Sequence, residues 1–314
     1  MKYSLLNRFR GALLGSFVGE ILGRESCQKL TVKKSFLVFP SSGDIQSSQI
    51  LSDWSRLATC GTKSLIHYGH LNPDDWWLLF GQQQSSVWLK SSPSPSEMAI
   101  AMLPIALFFH DDEVKLREQL LQAVDLWQAQ SNVSHGALAV AYAIALALTE
   151  KLDVATLIPR IVAYLGTSDI SVVQQLERVQ ELLIQGAGLE MAMNELRRVI
   201  QTPGEPLKRP DTTIALAFYC FLSTPEDFRL CVSRAIATNQ PQTATLTGML
   251  AGVYNSLIGI PVSWRLAAKG MSSGIERLQL ADSLLEAWAG VYNISATDRL
   301  QRLTVAAPRV IQPR

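Results

Sequence analysis

Arg8-Phe-Arg-Gly-Ala-Leu-Leu-Gly-Ser-Phe-Val-Gly-Glu-Ile-Leu-Gly23 is the stretch on which the reading of this chain turns. With the residues just before it, apolar side chains stand at Leu5, Leu6, Phe9, Leu13, Phe17, Ile21 and Leu22. Their spacings are mostly three and four, the period of one helical face. The pattern predicts a first helix of about five turns, closed near Gly23 by a C-cap glycine. Glu20 breaks it. A carboxylate among Phe17, Val18, Ile21 and Leu22 must reach water or find a partner.

The same period runs on through the chain. Helices are predicted at about 47–58, 73–80, 96–109, 113–129, 135–150, 153–164 and 170–185. Further ones follow at about 188–200, 211–222, 225–237, 243–257, 260–268 and 274–292. Pro73 with Asp74 and Asp75, and Thr224-Pro225-Glu226-Asp227, are N-terminal helix signals. Residues 24–45 read as irregular, with one short strand at Phe36–Pro40 and a turn at Ser41-Ser42-Gly43. Gln82–Pro95 and Gln201–Pro210 read as loops. No repeat of solenoid length, no strand–helix alternation and no GxGxxG, GxxxxGK[ST] or GxSxG motif occurs. The expected architecture is all-α, a single multi-helix orthogonal bundle over about residues 1–294. The tail 295–314 carries Arg299, Arg302, Arg309 and Arg314 against Asp298. It reads as a basic tail, with a frayed terminus the simpler alternative to an interaction segment.

Composition narrows the function classes. Apolar residues make up 48% and charged residues 18%, which excludes a disordered chain. Lys+Arg is 28 and Asp+Glu is 27, so there is no basic excess for general nucleic-acid binding. The four cysteines, Cys27, Cys60, Cys220 and Cys231, form no CxxC pair and read as reduced thiols. The N-terminal apolar run is interrupted by Glu20, and Gly136–Thr149 is too short to span a bilayer. The expectation is a cytoplasmic protein with no membrane span. His67-x-x-His70 reads as a surface pair, and His110-Asp111-Asp112-Glu113 as a helix cap, each ahead of a metal site. Trp76-Trp77 reads as facing a core ahead of forming an exposed patch.

The opening stretch resembles the start of the ADP-ribosylglycohydrolase family, R-x-x-G-A-L-L-G-x-x-x-G-D-A-L-G. Gly248-Met-Leu-Ala-Gly-Val-Tyr-Asn-Ser-Leu-Ile-Gly-Ile-Pro-Val-Ser-Trp264 is similar to that family's G-A-L-A-G-A-Y-Y-G-x-x-x-I-P-x-x-W. Glu97 to Leu107 resembles its G-A-A-M-R-x-x-P-L-x-L segment, with Ala101 at the arginine. Ser134-His135 resembles its T-H, and Ile214–Ala237 its A-x-x-x-F-L-x-T-x-D-F run. These elements come in the family's order across residues 8–264. The resemblance implies an all-α domain around a cleft.

It also implies a two-magnesium site carried by two motifs, and both are altered here. The family's T-D-D-T, at the start of the second helix, falls on Ile45-Gln46-Ser47-Ser48 when Gln49-Ile50-Leu51 sets the register. A shifted register would bring in Asp44. The family's G-G-D-T-D-T falls on Ala237-Thr238-Asn239-Gln240-Pro241-Gln242. Adjacent dications need several carboxylates to offset their repulsion. Glu20, matching the family's acidic residue after the glycine, is left with Asp44 at most. Two readings follow. One is a catalytically impaired homologue acting as a binding or regulatory protein for an unidentified protein partner. Its cleft floor of Gln46, Ser47, Ser48, Asn239, Gln240 and Gln242 would hold an ADP-ribose or nucleotide group, with no cofactor. The other is an active hydrolase of ADP-ribosylated substrates that uses Glu20 with Asp44 and two magnesium ions.

Overall fold

The computed structural model describes residues 3–28, 51–82, 93–127, 131–166, 171–198 and 211–291. Among them fifteen α-helices form and no strand does. The first five are α1 (Leu5–Gln28), α2 (Asp53–Tyr68), α3 (Pro73–Gly81), α4 (Pro95–Ala101) and α5 (Leu103–Phe108). Next come α6 (Glu113–Asp125), α7 (Ser131–Leu148), α8 (Leu157–Leu165), α9 (Ser171–Ile184) and α10 (Leu189–Leu196). The last are α11 (Thr213–Ser223), α12 (Phe228–Ala237), α13 (Pro241–Gly259), α14 (Val262–Lys269) and α15 (Ser272–Trp288). The expected strand at Phe36–Pro40, the turn after it, the tail and most of both predicted loops lie outside the described residues.

Local chemistry moves several predicted boundaries. The second helix opens at Asp53, not near Ser47, because the Ser52 hydroxyl accepts the Ser55 N–H and caps it. It runs on past Ala58 to Gly69, whose left-handed backbone (φ 70°) stops it. The helix predicted at 96–109 is two, α4 and α5, broken at Met102 where Pro104 follows in the next first turn. The helix predicted from Pro225 starts at Phe228, since Asp227 accepts the Leu230 N–H at 2.9 Å.

The core is built on α1, α7, α11 and α13. α7 is buried from Gly136 to Leu148, and α11 from Thr213 to Leu222. α1 and α13 lie antiparallel in backbone contact. A Cβ on Gly15 would stand 2.3 Å from the Gly248 carbonyl oxygen, and one on Gly248 would stand 2.2 Å from the Gly15 oxygen. Gly11 meets the Gly252 oxygen and Gly19 the Ala244 oxygen in the same way, each at 2.1 Å, while Gly23 lies against the Ala244 side chain and Pro241. Only hydrogen at Cα permits that approach. α13 is interrupted at the buried Ser256 (φ 61°, ψ −178°), where the Gly11 backbone crosses it.

Two arginines near the N-terminal end of α1 tie it to other helices. Arg8 donates to the Ala147 carbonyl and to Glu150 Oε1 at 2.9 Å, at the C-terminus of α7. Arg10 donates to both Asp282 oxygens at 2.6 and 2.7 Å, tying α1 to α15. Among the described residues, no single helix is long and apolar enough to cross a membrane.

Candidate functional site

Glu20 stands in the second half of α1, 3% exposed, facing the first turn of α2. Its Oε1 accepts the Ser52 backbone N–H, and its Oε2 accepts the Ser55 hydroxyl at 2.6 Å. Both carboxylate oxygens therefore have donors from the start of one helix, the end where partial positive charge gathers. Asp53, between these serines, forms an ion pair with Arg56 one turn on.

A buried cation completes the cluster. Arg277 of α15 is 2% exposed and donates from Nη2 to the Ser55 carbonyl at 3.1 Å. Burial lowers its pKa, and the charge of Glu20, then of Glu276 and Cys60, opposes that. Arg56 is lowered as well, by burial and then by Arg24, with Cys60 and Glu20 opposing. Three carboxylates, Glu20, Asp53 and Glu276, thus share their surroundings with the guanidinium groups of Arg24, Arg56 and Arg277.

Trp54 follows Asp53 and is 8% exposed. Its ring meets Trp127 edge-on at 6.2 Å, and Trp127 packs on Trp77 at 4.9 Å and Phe80 at 6.2 Å. The Trp76-Trp77 pair divides. Trp76 is buried and donates Nε1–H to the Leu57 carbonyl at 2.8 Å, while Trp77 is exposed.

The other predicted floor residues sit at the start of α13. Gly23, three residues beyond Glu20, packs against Pro241. Asn239 is exposed, with a left-handed backbone (φ 58°) and a carbonyl that accepts the Cys27 thiol. The Gln240 side chain turns to its own helix and accepts the Thr243 hydroxyl at 3.0 Å. Gln242 is half-buried in the first turn. Asp44, Gln46, Ser47 and Ser48 lie outside the described residues.

The histidine motifs take structural places. Asp112 caps α6, accepting the Val114 and Lys115 N–H groups, and His110 Nδ1 donates to the Leu107 carbonyl at 2.7 Å. His67 and His70 flank the Tyr68 ring at 4.6 and 5.9 Å. Among the described residues, no three His, Cys, Asp or Glu side chains converge as a metal site requires. A separate cavity of about 460 Å³ lies between the α9–α10 turn and α11, with Tyr219, Ser223 and Arg234 on its wall; no residue of the Glu20 cluster lines it.

Sequence reasoning missed Ser52, Asp53, Ser55 and Arg277. The first three carry a signal, a hydroxyl–carboxylate–x–hydroxyl run directly before a helical period. Arg277 carries another, since it falls on the apolar stripe of Leu280, Ala281 and Leu284. A charge on a core stripe is the signal that marked Glu20.

The model of the ADP-ribosylglycohydrolase family matches residues 1–293. The chain belongs to the ADP-ribosylglycohydrolase family. Among solved structures it is similar to one titled "ADP-ribosylglycohydrolase-related protein complex", at 18% identity and a TM-score of 0.61. That match covers 90% of this chain and 99% of the other, and shows that the two share a fold. None of the curated proteins compared matches significantly. The all-helical fold and the family expected from Arg8–Gly23 and Gly248–Trp264 are thus both found.

Proposed function

We propose that this protein is a catalytically impaired ADP-ribosylglycohydrolase homologue that acts by binding, as a regulatory protein whose cleft retains a ribosyl or nucleotide group. One observation carries the reading: the family's acidic residue, here Glu20, has both oxygens engaged by Ser52 and Ser55, beside the buried guanidinium of Arg277. So held, the carboxylate anchors the first turn of α2, and the buried charge beside it is a guanidinium.

The start of the second helix also supports it. The family's T-D-D-T belongs at that start, and the helix that meets Glu20 opens with Ser52-Asp53-Trp54-Ser55. In this register, which differs from the one expected on Ile45–Ser48, two hydroxyls and one carboxylate remain, and Trp54 stands at the second aspartate. At the start of α13, Asn239 and Pro241 stand for the other two aspartates. The residues do not fit two magnesium ions: Glu20 and Asp53 at this helix start face the guanidinium groups of Arg277 and Arg56, too little negative charge to offset two adjacent dications. Neutral oxygens coordinate magnesium without neutralising it.

The test is an assay for free ADP-ribose from ADP-ribosylated arginine, ADP-ribosylated serine and O-acetylated ADP-ribose, with magnesium present. The expected outcome is no turnover, together with calorimetric binding of ADP-ribose in the absence of magnesium. The survival of Asp53 favours one rival, an active hydrolase using Glu20 with Asp53 or Asp44. Turnover comparable with an active family member, lost in Glu20→Gln, would establish it instead.

A further inference from the structure

We infer that Arg277 is the built-in cation of the Glu20 site, a guanidinium fixed in the fold that supplies this carboxylate with the positive charge a metal ion would otherwise bring. The inference rests on the reading above that the residues do not fit magnesium, and goes beyond it by naming what takes the ion's electrostatic place. Ser55 is the bridge. Its backbone carbonyl accepts Arg277 Nη2 at 3.1 Å, while its hydroxyl donates to Glu20 Oε2 at 2.6 Å. One residue thus joins a cation from α15 to an anion from α1. Both charges are buried, at 2% and 3% exposure. Neither is tolerable alone in such a place, and each lowers the cost of the other.

The position of Arg277 is set from both sides along α15. Glu276, the preceding residue, pairs with Lys63 of α2 at 2.7 Å. Asp282, further along, holds Arg10 of α1 through two hydrogen bonds. The guanidinium is therefore delivered to the cluster by the packing of α15. Arg56 and Arg24 add like charge nearby. A dication entering here would meet the fixed positive charge of Arg277 beside Glu20.

The test is a double-mutant cycle read by melting temperature, with wild type, Glu20→Gln, Arg277→Met and the double variant. Each is measured in magnesium chloride and in sodium chloride of equal ionic strength, because salt alone screens charges. Each single variant is expected to melt several degrees lower, and the double variant no lower than the worse single one. Wild type is expected to melt at the same temperature in both salts. Additive losses would overturn the inference, and so would a magnesium-specific rise in wild type, which requires no variant. Should Arg277→Met not accumulate as folded protein, Arg277→Lys is compared with Arg277→Gln. The lysine variant keeps the charge and is expected to lose less; equal losses would overturn the inference. Turnover by wild type would defeat the proposed function without changing the cycle. An additive cycle would remove the role of Arg277 without bearing on turnover.

Discussion

At the scale of single residues, Arg8 is 7% exposed, and its guanidinium holds the Ala147 carbonyl and Glu150 at the end of α7. Replacing it by Met keeps the aliphatic stem but leaves that carbonyl and carboxylate without their donor. Arg8→Met is expected to cost about 2 kcal/mol, the range for hydrogen bonds to a charged group. The check is a lower urea midpoint with an unchanged slope. The residues of the Glu20 cluster were unequally legible in the sequence. Glu20 stood out because it interrupts an apolar helix face. Arg277 interrupts one too, but no pattern in a sequence shows that α15 carries it to Ser55, 222 positions away along the chain. Ser52 and Asp53 were hidden for another reason. With the start of the second helix placed near Ser47, its capping residues fell in mid-helix, where hydroxyls carry no message.

At the scale of elements, the contact of α1 with α13 depends on hydrogen at Cα. Gly248→Ala would push a methyl group into the Gly15 backbone, which has no rotamer to yield. The loss is expected to reach about 1–3 kcal/mol or more. Gly81 is the control. It is exposed at the end of α3, and nothing lies within 4 Å of a Cβ added there. Gly81→Ala is expected to gain roughly 0.4–1 kcal/mol through the unfolded chain. Urea midpoints that move in opposite directions would bear this out; parallel shifts would contradict the close packing. Helix existence was legible from periodicity, and several ends were not. Gly69 stops α2 by taking a left-handed backbone, and Pro104 divides what periodicity reads as one helix, because Ile100 and Ile105 keep the apolar pattern across the break.

At the scale of the whole molecule, burial of its thiols sets the response to alkali. Burial pushes Cys60 up to about 11, and Cys220 and Cys231 up to about 12. The Tyr164 phenol is pushed by burial up to about 12. All four are raised, so the folded state keeps protons that the unfolded chain releases first. Stability is therefore full below the ordinary thiol range and falls as pH rises from about 9 towards 12. Each thiol adds about 1.4 kcal/mol per pH unit to that fall once the unfolded form ionises. Urea midpoints at pH 8, 9.5 and 10.5 under reducing conditions test it, and Cys220→Ala should flatten the curve. The all-helical class was legible because helical spacing recurs from Leu5 to Trp288. What brings Glu20, Ser55 and Arg277 together is tertiary, and local spacing carries no record of it. The glycine contact between α1 and α13 has a consequence for synthesis. Its two halves lie about 230 residues apart, so α1 leaves the ribosome long before its partner α13. At roughly 5–20 residues per second, α1 waits about 12–50 s with Phe9, Leu13 and Phe17 uncovered. During that interval the nascent chain is a natural client for a chaperone, and the separation of the two helices along the chain sets how long the interval lasts.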